Sequence, residues 1–241
     1  MLSSPQYKFD RITNALLKGF LSTKTTLFNL NLALFKSSQR SVMNKPYSQA
    51  SENNKEPIRQ ILAPYIKEGG ILLEIGSGTG QHGEHITQHY PDLAWQTSDQ
   101  TAYLDGINLW VADAQRDNFK APLELEVSTA KWTHEKVDFL YSANTAHIMS
   151  WEEVEKFFEF VPNVLKEGGY FFLYGPFNYQ GQFTSESNAR FNDWLKEQAP
   201  HRAIRDFETV NKLACEQELE LIADNPMPAN NRLLVWRVSA K

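Results

Sequence analysis

A short apolar run, Ile71-Leu-Leu-Glu-Ile75, passes directly into Gly76-Ser-Gly78-Thr-Gly80 and then into a segment with helical spacing. That order of strand, glycine-rich turn and helix is the strongest constraint on the fold. Glycines let the chain turn tightly and let its backbone approach a ligand without side-chain interference. The dinucleotide fingerprint Gly-x-Gly-x-x-Gly is not met, because Gln81 stands where its last glycine belongs. A Walker loop is excluded by the absence of Gly-Lys-Ser/Thr. Glu74, just ahead of the first glycine, would repel phosphate and suits a ligand presenting a cation, such as an ammonium group.

Strand-like segments at 71–75, 93–98, 123–127, 137–142, 170–174, 219–223 and 233–238 alternate with helix-like ones. Ile58, Ile61, Leu62, Tyr65 and Ile66 predict a helix that opens at Pro57 and is cut short by Pro64. A second helix is expected over 81–90. Ser150 ahead of Trp151-Glu-Glu153 has capping-box spacing, and Trp151, Val154, Phe157, Phe158 and Val161 form the apolar face of a helix ended by Gly168-Gly169. Asp206 is placed to cap a further helix carrying Phe207, Val210 and Leu213. Such alternation implies an α/β fold, a mostly parallel sheet with helices on both faces.

Charge divides the chain. Residues 1–42 hold six bases and one acid, whereas the remainder holds 18 bases and 28 acids, so +5 precedes −10. The acidic body, 43–241, repels phosphate backbones and disfavours bulk nucleic acid as a partner. The basic, hydroxyl-rich start reads as an N-terminal extension peripheral to the fold, with Met43 as a natural start. A mitochondrial transit segment or a membrane-surface helix are its alternatives. The one cysteine, Cys215, excludes an intrachain disulfide and fits a reducing, cytoplasmic setting. No run of 18 apolar residues offers a membrane span.

Asp99 closes the second expected strand, where a carboxylate can accept both hydrogen bonds of a ribose diol. Its plainer role is a turn or capping aspartate, and the pairing with the glycine loop favours ribose. His82, His85 and His89 share roughly one helix face and could in principle hold zinc. A packing or hydrogen-bonding role beside the loop fits better, and no metal is expected.

These residues resemble the class I S-adenosylmethionine-dependent methyltransferases, as does Leu165-Lys-Glu-Gly-Gly-Tyr170 at the entry to the fifth strand. Ser51-Glu-Asn-Asn-Lys-Glu-Pro57, Gly80-Gln-His82, Asn144-Thr-Ala-His147, Tyr174-Gly-Pro-Phe177 and Met227-Pro-Ala-Asn-Asn231 are together similar to a small methyltransferase-like family of bacteria and animals, grouped as a domain of unknown function. The resemblance spans 46–238. Relatives often carry Arg-Asn where this chain has Asn53-Asn54, which removes any guanidinium contact at position 53. The resemblance implies a Rossmann-like, doubly wound seven-stranded sheet whose last strand is antiparallel, binding S-adenosylmethionine across strands one, two and four. It assigns Glu74 and the loop Gly76, Ser77, Gly78 and Gly80 to the amino-acid end, Asp99 to the ribose and Glu126 to the adenine amino group, with Gln81 and His82 beside the loop as further cofactor-binding candidates.

Methyl transfer asks a protein mainly to align donor and acceptor and to exclude water. His147 is the expected base, since histidine titrates near neutrality and this loop should face the sulfonium; Asn144 is expected to orient a substrate, with bracing of the loop as the alternative. Tyr174, Asn178 and Asn230 are expected around the acceptor, a small molecule or a protein side chain. The polar stretch 177–190, with Gly175 and Gly181 as hinges, is a candidate lid. The alternative is a non-catalytic module that holds the cofactor and regulates a partner. A nicotinamide oxidoreductase would need pyrophosphate beside Glu74 and is the weakest reading.

Overall fold

The structure is a computed structural model that describes residues 44–239. The expectations for residues 1–42 fall outside the described residues. In chain order the strands are β1 (Gly70–Ile75), β2 (Leu93–Asp99), β3 (Phe119–Glu124), β4 (Val137–Ala143), β5 (Leu165–Gly175), β6 (Phe177–Asn178), β7 (Arg205–Asp206), β8 (Leu219–Met227) and β9 (Asn231–Val238). The helices are α1 (Gln49–Ile66), α2 (Gln81–Thr87), α3 (Thr101–Ala114), α4 (Trp151–Val164), α5 (Glu186–Gln198) and α6 (Phe207–Glu216). A seven-stranded sheet runs in the order β3-β2-β1-β4-β5-β9-β8. Strand β9 lies antiparallel to both β5 and β8, and the neighbours from β3 to β5 pair in parallel.

Each sheet face buries its own apolar layer. On one, Phe157, Phe158 and Val161 of α4 meet Phe171 and Trp236. On the other, Ile58, Leu62 and Ile66 of α1 cover Leu72, Phe139 and Phe172. At about 1.5–3 kcal/mol per fully buried large side chain, these two layers hold the helices against the sheet. The chain order reverses direction beside β1, where the sheet's halves leave β1 and β4 adjacent. Ligands of open α/β sheets bind at such a switch point, beyond the carboxyl ends of the strands.

Several elements depart from the sequence expectation. Helix α1 starts at Gln49, capped by Ser48, whose hydroxyl accepts the Ser51 N–H, and it runs through both Pro57 and Pro64. Its fully buried Ile58, Leu62 and Ile66 compensate for the backbone bonds that the prolines remove. The third strand is 119–124, not 123–127, because Pro122 is tolerated on an edge strand. Helix α4 ends at Val164, before the glycine pair; its capping box is formed, with Ser150 Oγ accepting Glu153 N–H and Glu153 Oε2 accepting Ser150 N–H. The candidate lid is largely pinned: Gly181 N–H donates to Asp206, Gln180 N–H to Glu208, and the Tyr179 hydroxyl to Asp224. Helix α5 also begins within it, capped by Ser185. Gly181, at φ +69°, serves a tight turn instead of a hinge.

Candidate functional site

The loop from β1 to α2 is shaped by two glycines. Gly76 has φ +69°, and a Cβ there would lie 2.6 Å from Thr145 Cγ2, so only glycine lets the β1 and β4 loops touch. Gly78 has φ +59°, yet among the described residues no heavy atom lies within 4 Å of its Cβ position. The backbone at Gly78 therefore faces open space that a ligand can enter.

Strand β2 holds this loop from the side. Ser77 N–H donates to Ser98 O at 2.9 Å, and Ser77 Oγ accepts Ser98 N–H at 3.1 Å. Asp99 Oδ2 accepts Gly78 N–H at 2.7 Å while Oδ1 accepts Gln100 N–H at 2.8 Å. Burial raises the Asp99 carboxyl above the usual aspartate range, against the pull of those two N–H groups. Each oxygen keeps a second lone pair for a hydroxyl donor.

Glu74, Gln81 and His82 face inward. Glu74 is 1% exposed; its Oε2 accepts Trp95 Nε1–H at 2.8 Å, and Oε1 lies 3.6 Å from His82 Nδ1. Through these two contacts the Glu74 carboxylate ties β1 to β2 and α2. His82 Nε2 pairs with Asn54 Oδ1 at 2.8 Å, and its ring meets Tyr141 edge-on. Gln81 Oε1 accepts Ser48 N–H and Thr79 Oγ1–H, and its Nε2 donates to Glu52. These residues clamp the start of α1 onto the glycine loop. His85 pairs with Glu56, and His89 bonds the His85 carbonyl with its ring edge-on to the His85 ring.

Tyr174 joins the same layer. Burial lifts its hydroxyl above the usual phenol range against side-chain hydrogen bonds from Asn54 and Asn231. The motifs around 54, 82, 174 and 231, far apart in sequence, thus converge on one buried polar cluster. Asn54 and Asn231 were not among the expected site residues. The signal was present, as both lie inside quoted motifs, but a buried bridging role leaves no local pattern.

Glu126 follows β3 on the wall of a cavity of about 470 Å³, lined also by Leu125, Lys131, Trp132 and His134. Its carboxylate accepts Ser128 Oγ–H. Asn144 directly follows β4 at φ +61°, its N–H donating to Tyr174 O and its side-chain amide without a partner among the described residues. Asn178 carries a buried Oδ1 with no donor. Asn230 stands apart, exposed, with its carbonyl accepting Asn188 Nδ2–H at 3.1 Å.

His147 is buried between Gly175 and Phe191. Burial, reinforced by the charges of Arg205 and Arg202, pushes its imidazole down to about 4. It is neutral near pH 7, but a base whose conjugate acid is so strong accepts a proton poorly. The environment opposes the base role expected of it and suits an uncharged hydrogen-bonding group.

A family model described as "protein of unknown function (DUF938)" matches residues 45–238. The chain belongs to that family. Its fold is that of the class I S-adenosylmethionine-dependent methyltransferases. An O-methyltransferase family protein from Burkholderia thailandensis superposes with a TM-score of 0.70 at 13% identity, over 79% of this chain and 58% of that one. Human N-acetylserotonin methyltransferase, in complex with S-adenosylmethionine, gives 0.64 at 12% identity, covering 80% of this chain and 53% of that one. The methyltransferase CalO1 of calicheamicin biosynthesis, in its S-adenosylhomocysteine-bound form, gives 0.63 at 16%, over 78% and 55%. This DUF938 chain spans little more than half the length of these proteins. Among its described residues no helix is long and apolar enough to cross a membrane.

Proposed function

We propose that this DUF938 protein is an S-adenosylmethionine-dependent methyltransferase acting on a small molecule or a protein side chain. The observation that carries the reading is the Gly78 backbone, open to a ligand and held by Asp99 at the carboxyl ends of β1 and β2. A loop of that geometry fits the cofactor, with Gly76 to Gly80 as its cradle and Asp99 facing the ribose. Glu126 and its cavity are the proposed adenine end.

Bound there, S-adenosylmethionine would supply a methyl group whose bond to sulfur breaks as the acceptor's lone pair bonds to carbon, the released pair staying on sulfur. The chain's own residues position and shield. Asn144, with its amide unpaired at the end of β4, is proposed to orient the acceptor. His147, neutral and buried, is proposed to accept or donate a hydrogen bond there. An acceptor proton then leaves to solvent or to a weakly basic group, since His147 is a poor base.

That weakness favours the second reading, a module that holds the cofactor without turning it over. Calorimetric titration of the full chain with S-adenosylmethionine, and separately with NAD, tests the first. Micromolar binding of S-adenosylmethionine alone supports the site; no binding by a folded sample overturns it. Binding with no S-adenosylhomocysteine formed against any acceptor would transfer support to the module.

A further inference from the structure

Beside His147 lie two arginines, Arg205 and Arg202, whose charges act on its imidazole. The turn 199–204 rests on the loop after β4, where Ala203 N–H donates to His147 O at 3.1 Å. Arg205, buried, spends its Nε–H on Ala146 O at 2.9 Å and its terminal N–H groups on the carbonyls of Met149 and His201. Arg202 has no such partners: its Nε is buried without an acceptor, and neither arginine meets a carboxylate among the described residues. Arg202 is half-buried, and a buried N–H donor left without an acceptor is costly, so native chains usually pair it. Its isolation stands out because the surrounding body holds 28 acids to 18 bases.

We infer that the methyl acceptor is a small molecule bearing a carboxylate that docks on Arg202, with Arg205 adding its charge from behind. The inference rests on the methyltransferase reading for the word acceptor, though the anion site stands without it. A planar carboxylate matches the fork of a single guanidinium, whereas a polyanion would be repelled by the −10 body. The uncharged part of the molecule has an apolar support nearby. Trp194 is 50% exposed and stacks on Phe191, which touches His147, and Ile148 is 42% exposed.

The test follows the Arg202 Nε–H resonance in the full chain by proton–nitrogen NMR during titration with benzoate. Benzamide and chloride at matched ionic strength are the controls. A saturable shift with benzoate alone, weakened roughly tenfold or more in Arg202→Gln and partly restored in Arg202→Lys, is expected. No saturable shift in the wild type, or an equal one with benzamide or chloride, overturns the site. Should Arg202→Gln fail to fold, the wild-type titration and Arg202→Lys decide alone. S-adenosylmethionine calorimetry on the same sample separates the two ideas: a benzoate shift without cofactor binding sinks the methyltransferase reading and keeps the anion site. With both bound, S-adenosylhomocysteine release should be at least tenfold faster with 4-hydroxybenzoate than with 4-hydroxybenzamide. Equal rates would overturn carboxylate recognition.

Discussion

The carboxylate of Asp99 holds the backbone N–H of Gly78 at 2.7 Å, so the residue proposed for the ribose also fixes the shape of the glycine loop. Asp99→Ala should weaken S-adenosylmethionine binding by about 1.5–3 kcal/mol, the scale of charge-assisted hydrogen bonds. Calorimetry on the folded variant measures it, and unchanged affinity would remove Asp99 from the site.

Gly78 separates backbone strain from ligand approach. Its φ of +59° makes any side chain costly by roughly 1–2 kcal/mol, but no described atom would be struck. Gly78→Val should therefore leave the protein folded with a modestly lowered unfolding midpoint and abolish cofactor binding. A folded valine variant that still binds would show that the ligand does not approach this backbone.

Gly83, in the first turn of α2, behaves in the opposite way. A Cβ there would stand 2.5 Å from Phe119 and 2.6 Å from Trp95, both fully or nearly fully buried aromatics. Gly83→Ala should destabilise by about 1–3 kcal/mol through overpacking, despite alanine's better helix propensity. Urea denaturation with an unchanged or raised midpoint would refute this account of the α2–β2 contact.

His147 links stability to pH. Its folded pKa, about 4, lies below the usual 6.5, so between those values the unfolded chain binds more protons. Stability must then fall as pH drops from 6.5 towards 4, by on the order of 3 kcal/mol for this group alone. Replacing it by asparagine should flatten that slope in denaturation curves at pH 7 and pH 5. An identical slope in wild type and variant would mean the imidazole is not held neutral.

Much of the architecture was legible because periodicity and glycine punctuation are local. The run 71–75 and its glycine turn, the capping box at Ser150, and the last two strands all stand in the structure near their expected places. Helix α3 was missed, although Ile107 and Trp110 carry a helical spacing, and the start of α1 was missed because its first turns are polar. Those polar turns are helical because Asn54, Glu52 and Glu56 find partners on α2, which no local pattern announces.

The candidate site divides along the same line. Residue identity and order were enough to select the glycine loop, Asp99 and the 144–147 loop, since a tight turn after a strand has few chemical solutions. Which way each side chain points was decided only by packing. Glu74 turns to Trp95 and His82 because a buried carboxylate must be paired, and His147 loses basicity because burial and two arginines disfavour its charged form. Desolvation and pairing depend on neighbours brought together across the sheet, and those neighbours exist only once the chain has folded.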